Sequence, residues 1–129
     1  MTQALVQYRV DDGVATLTLD DGARMNPLSA PLLEGCLEAL QRVRDDRVVR
    51  VLVLAANGRG FCAGADLPAM GAALAQPREP GAPTLGDETA QLMAQGGNVL
   101  VQALRSLPVP VVCAKHGGVA GGGGGLVLA

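Results

Sequence analysis

The sequence predicts an α/β fold, and three observations carry that prediction. The chain opens with two short β-rich segments joined by Asp11-Asp12-Gly13, and Asp-Gly between apolar runs is a hairpin signal. Residues 30–45 then place Leu32, Leu33, Cys36, Leu37, Leu40 and Val43 at three-and-four spacing, the stripe of an amphipathic helix. Finally, the run VVRVLVLA over residues 48–55 is almost continuously apolar over strand length, the pattern of a parallel strand covered on both faces.

The elements follow in order. Residues 5–10 and 14–19 form the antiparallel hairpin, with Ala15, Leu17 and Leu19 alternating with Thr16 and Thr18 so that one face is buried. A loop over residues 20–27 leads to Ser29, a suitable N-cap for the helix over 30–45. The strand over 48–55 runs into Asn57-Gly58-Arg59-Gly60-Phe61-Cys62-Ala63-Gly64-Ala65-Asp66, a glycine-rich loop at the carboxyl end of a parallel strand, where open α/β sheets place ligands. Residues 76–86 hold three prolines and two glycines and predict a surface loop or lid. Asp87 caps a helix expected to run to about Ser106, weakened at Gly96-Gly97 by about 1 kcal/mol per glycine relative to alanine. A short strand over 109–114 follows, then a second glycine-rich turn over 115–125, with a final helix starting as the chain ends.

Composition excludes several functions. With 129 residues, 49% hydrophobic and 17% charged, the chain has the make-up of one globular domain. Ten Lys and Arg against twelve Asp and Glu give a net charge of −2, and no basic stripe interleaves with aromatics, so nucleic acid is not an expected partner. No apolar run reaches membrane-spanning length and the first residues lack a leader pattern, which predicts a cytoplasmic protein with no membrane partner. Cys36, Cys62 and Cys113 lack CxxC spacing and His116 is the only histidine, so no metal site is expected and the thiols read as buried and free.

The glycine loops narrow the chemistry. Such loops bring backbone N–H groups close to a ligand, which suits a phosphate or an oxyanion. A Walker A loop needs glycine followed by Lys-Ser or Lys-Thr, and none occurs. The dinucleotide pattern GxGxxG fails at Leu126 when started from Gly121 and at Ala63 when started from Gly58. A GxSxG nucleophile elbow is absent. What remains is a pair of backbone donors, one from each loop, aimed at one developing oxyanion. Each such donor typically contributes about 3 to 4 kcal/mol to the transition state.

The string Gly58-Arg59-Gly60-Phe61-Cys62-Ala63-Gly64-Ala65-Asp66-Leu67 resembles the G-x-x-F-x-A-G-A-D-[LIV] segment of the crotonase (enoyl-CoA hydratase/isomerase) family. Residues 108–117 followed by Gly121-Gly122-Gly123 resemble that family's second signature, and Arg24-Met25-Asn26-Pro27-Leu28-Ser29 resembles its [RK]-x-N-[AP]-[LM]-[ST] segment. The resemblance covers essentially the whole chain. It implies a crotonase-like ββα spiral, truncated before its C-terminal half, that assembles at full length as a homotrimer or hexamer. It further implies an acyl-CoA thioester as the bound partner, with coenzyme A as part of the substrate and no separate cofactor. Ala65 N–H and Gly122 N–H would form the oxyanion hole. Arg24, Ala63, Gly64, Ala65, Asp66, Leu67 and Gly122 would line the substrate site.

Plainer alternatives stand beside these assignments. Gly121 to Gly125 also reads as a flexible tract, Asp66 as a helix cap, His116 as a structural histidine at a strand end, and Arg24 as a solvated cation. The two-glutamate pattern of hydratases departs here, because the first glutamate's position, two residues after the triple glycine, is Gly125. No acid/base is identifiable in these 129 residues. The sequence is therefore compatible with an isomerase or hydratase/lyase whose base lies elsewhere, with a non-catalytic acyl-CoA-binding or oligomer-forming homologue, and with an inactive truncated product. The chain alone is expected to be weakly folded and inactive.

Overall fold

The computed structural model describes residues 4–129, the side chains at 92 and 93 excepted. Strand β1 (Val6–Asp11) pairs antiparallel with β2 (Val14–Leu19), and the turn between them has Asp12 at φ 47° and Gly13 at φ 77°. Two consecutive left-handed residues give a turn whose twist matches that of the strands, which is why Asp-Gly signals a hairpin. Along β2, Ala15, Leu17 and Leu19 are buried, as their alternation with threonine predicts.

Helix α1 (Ala30–Asp45) starts at Ser29, whose hydroxyl accepts from Leu32 N–H at 3.4 Å, with Pro31 in the first turn where a missing N–H costs nothing. It buries Leu32, Cys36, Ala39, Leu40 and Val43 against β1 and β2. After α1, β4 (Val51–Ala56) begins three residues later than the apolar run suggests. Asp46 explains the delay: its carboxylate accepts from Val48 N–H at 2.9 Å and its carbonyl from Val49 N–H at 3.3 Å, a turn that leaves Val48 66% exposed. Nor is β4 covered on both faces. Leu52 and Leu54 are buried, whereas Val51 and Val53 on the opposite face are half-buried.

The helix expected over 87–106 is two helices. Gly96, at φ −110° and ψ −100°, separates α3 (Leu85–Gln95) from α4 (Gly97–Arg105), and α4 packs Leu100 and Leu104 into the core. A backbone with no Cβ on either side of the break makes the turn cheap. The last strand, β6 (Val111–Cys113), is shorter than residues 109–114. Pro110 has no N–H and joins the pairing through its carbonyl alone, accepting from Leu52 N–H at 3.0 Å, and Ala114 N–H closes the far end on Leu54 O at 2.8 Å.

The main sheet has the order β1-β2-β4-β6, with β2, β4 and β6 mutually parallel. This puts the segments that follow β4 and β6 at the carboxyl ends of neighbouring strands. There, β3 (Pro27–Leu28) pairs in parallel with β5 (Gly64–Ala65), a small second sheet inside what the sequence reads as loops. Helix α2 (Leu67–Leu74) follows β5, and α5 (Gly122–Leu128) ends the chain. Helix α5 begins at Gly122 rather than after Gly125, so most of the glycine run is helical instead of a turn.

Candidate active site at the two glycine loops

The first loop is fixed from below by the segment before α1. Asn26, fully buried at φ 50°, donates its amide Nδ2 to Asn57 O at 2.9 Å and Phe61 O at 3.0 Å, while its Oδ1 accepts from Asp21 N–H at 2.7 Å. Phe61 itself is fully buried and anchors the loop in the core. Ala63 N–H donates to Met25 O at 2.8 Å. Beyond it β5 pairs with β3. The register sets Pro27 beside Gly64 and Leu28 beside Ala65, with Pro27 contributing no N–H to the ladder.

The second loop lies directly against the first. Phe61 N–H donates to Gly118 O at 3.0 Å, Ala120 N–H donates to Cys62 O at 3.1 Å, and Cys62 bridges in parallel to Val119. Gly64, at φ 88°, marks a close approach beside the expected donors: a Cβ there would stand 2.6 Å from Ala120 O and 3.2 Å from Gly122 N. Only glycine meets both the left-handed backbone and this contact. Gly123 is as tight, since a Cβ would meet Cys62 O at 2.7 Å. Gly122 opens α5, in the first turn, where N–H groups lack an intrahelical partner. Gly123 N–H and Gly124 N–H turn back to Ala120 O and Gly121 O.

The side chains around this backbone are already engaged. Arg24 donates Nη2 to Asp66 Oδ1 at 2.9 Å and reaches Asp21 at 3.4 Å; its side chain is 47% exposed. Asp66 is the N-cap of α2 and accepts from Ala69 N–H at 3.3 Å. The structure therefore brings Arg24, Ala63, Gly64, Ala65, Asp66 and Gly122 together at one end of the sheet, whereas Leu67, 72% exposed, points into solvent from the start of α2. His116 Nε2 lies 2.6 Å from Gly58 O, so this exposed nitrogen donates and braces the first loop.

Cys36 and Cys62 are buried, and burial pushes the Cys36 thiol up to about 12. Among the described residues no cluster of His, Cys, Asp or Glu could hold a metal ion. Asn26 is the member that sequence reasoning passed over. Little in the sequence signals it, because a residue before proline favours extended backbone whereas Asn26 adopts φ 50°, a left-handed conformation that asparagine tolerates better than most residues.

The enoyl-CoA hydratase/isomerase family model matches residues 9–129. The chain belongs to this family. Over 119 residues it is 40% identical to 1,2-epoxyphenylacetyl-CoA isomerase of Escherichia coli (strain K12), spanning 92% of the chain and 42% of that relative. Over 126 residues it is 34% identical to trans-2-decenoyl-acyl-carrier-protein isomerase of Streptococcus mutans, spanning 96% of the chain and 44% of the relative. A crystal structure of a Mycobacterium abscessus protein described as an enoyl-CoA hydratase/isomerase superposes with a TM-score of 0.83 at 32% identity, over 95% of this chain and 45% of that one. The fold is thus crotonase-like, and the chain spans less than half the length of these relatives. Among the described residues no helix is long and apolar enough to cross a membrane.

Proposed function

We propose that this chain carries the carbonyl-polarising part of an acyl-CoA active site, in which Ala65 N–H and Gly122 N–H donate to the thioester oxygen as an enolate develops. The observation that carries the reading is the packing of Gly64 on Ala120 and Gly122, which brings the backbone of the Gly64–Ala65 strand against the start of α5. Two fixed donors aimed at one oxygen stabilise the enolate more than the ketone-like ground state, because the oxygen gains charge only as the α-proton leaves. A site made of backbone N–H groups needs no particular side chain at Ala65 or Gly122.

Arg24 and residues 63–66 form the wall that receives coenzyme A. Release of Arg24 from Asp66 makes its guanidinium available to a phosphate, at the small cost of an exposed ion pair. The reaction class is isomerase or hydratase/lyase. Two relatives above are named isomerases, and Gly125 stands where a hydratase's first glutamate would be, which supports the isomerase side. The full-length protein is proposed to be a cytoplasmic homotrimer or hexamer.

A second reading, a non-catalytic acyl-CoA binder, is favoured by one specific observation: the carboxylate adjacent to Ala65, Asp66, is held by Arg24 and by its capping bond. Calorimetry on the full-length protein tests the common core of both readings. Acetyl-CoA is expected to bind and to raise Tm; absence of both heat and thermal shift with acetyl-CoA and with CoA would remove the acyl-CoA assignment. Turnover of an enoyl-CoA then separates the enzyme from the binder.

A further inference from the structure

We infer that Asn26 is a positioning residue for the oxyanion donor at Ala65, an inference that rests on the oxyanion-hole reading above. Three facts carry it. Asn26 is wholly buried, and its amide is used in full: Oδ1 accepts from Asp21 N–H at 2.7 Å, and Nδ2 donates to Asn57 O at 2.9 Å and Phe61 O at 3.0 Å, with Gly60 O at 3.5 Å beyond them. The amide's orientation follows from its partners, because the carbonyls only accept and the Asp21 N–H only donates. Its carbonyl contacts bracket the loop, at Asn57 where β4 ends and at Phe61 four residues before Ala65.

The residues on either side of Asn26 grip the same loop farther along. Met25 O accepts from Ala63 N–H at 2.8 Å, and Pro27 and Leu28 pair with Gly64 and Ala65. Four consecutive residues, Met25 to Leu28, thus set the path of the backbone from Asn57 to Ala65, and Asn26 is the one that does so through its side chain. A site stabilises charge only when its donors are fixed before the charge appears, and a shift of well under 1 Å at Ala65 N–H spoils that alignment. Asn26 also adopts φ 50°, which asparagine and glycine tolerate better than other residues.

Two substitutions separate the amide from the backbone conformation. Asn26→Asp keeps the size and the acceptor for Asp21 N–H but sets carboxylate oxygen against the carbonyls of Asn57 and Phe61. Asn26→Gly keeps the left-handed backbone and removes the amide. The probe is acetyl-CoA carrying a labelled thioester carbonyl, bound to the full-length protein and read by difference infrared spectroscopy, with CoA affinity measured in parallel. In the wild type the bound carbonyl band is expected to shift to lower frequency.

In both variants that band should return toward its position in water and the preference for acetyl-CoA over CoA should fall about tenfold, the equivalent of one lost hydrogen bond, while affinity for CoA itself holds. A purely structural role would not move the carbonyl band at constant CoA affinity. A folded variant with an unshifted wild-type band overturns the inference, as does failure of both variants to fold, which would assign Asn26 to stability alone. Absence of a band shift in the wild type is a different result: it sinks the oxyanion-hole reading itself.

Discussion

At the residue scale, burial decides what each side chain can do, and Cys36 shows it most directly. Its thiol lies in the core, where water cannot solvate a thiolate, so burial holds it protonated to about 12 against an ordinary value of 9.0. Above pH 9 the unfolded chain releases this proton and the folded chain keeps it. The folded state then binds more protons, so the stability it holds below pH 9 falls as pH rises toward 12, by about 1.4 kcal/mol per unit for this one group. Urea unfolding at pH 8, 9.5 and 10.5 should therefore show a steeper loss for the wild type than for Cys36→Ala, whose absolute stability is lower but whose slope lacks this contribution. Equal slopes would mean the thiol ionises as readily in the fold as outside it. The reading of the three cysteines as buried free thiols holds for Cys36 and Cys62, whereas Cys113, in β6, is free but only partly buried.

At the scale of elements, what was legible followed from periodicity, and what was missed followed from local hydrogen bonding that periodicity does not report. The β1–β2 hairpin, helix α1 and its Ser29 cap stand where their patterns place them. The start of β4 depends on a turn at Asp46, the break between α3 and α4 on Gly96, and β3–β5 on a two-residue pairing too short to leave a pattern. The glycine run is the instructive case, because composition alone cannot say which glycines are required. Gly121 is left-handed at φ 52°, and Gly123 packs on Cys62, yet Gly124 has nothing within 4 Å of where a Cβ would stand. Gly124→Ala is therefore expected to stabilise α5 by about 1 kcal/mol through helix propensity. Gly123→Ala drives a methyl into Cys62 backbone and should destabilise by about 1 to 3 kcal/mol. Thermal unfolding of the two variants in the full-length protein checks the sign difference, and stabilisation of both would show that the run is a tolerant tract with no close contact to the first loop.

For the whole molecule, the order β1-β2-β4-β6 matters because β4 and β6 are parallel neighbours, so the loops after them leave the sheet side by side. That single topological fact turns two glycine strings some fifty residues apart in sequence into one surface, with Gly64 against Gly122. On the same surface the carboxylate beside the proposed donors is already engaged. Asp66 is tied to Arg24 and caps α2, and His116 spends Nε2 on Gly58 O. Polarising a carbonyl lowers the barrier to enolisation, but a general base within hydrogen-bond reach must still take the proton. The 129-residue chain is consequently expected to leave the α-protons of acetyl-CoA unexchanged in D2O beyond the solvent background, at pH 7 to 8, as followed by the loss of the methyl proton signal. Exchange above background would place a working base among these residues, with Asp66 freed from Arg24 as the first to substitute by asparagine. Exchange that survives Asp66→Asn would point instead to His116, whose second ring nitrogen is then the acceptor.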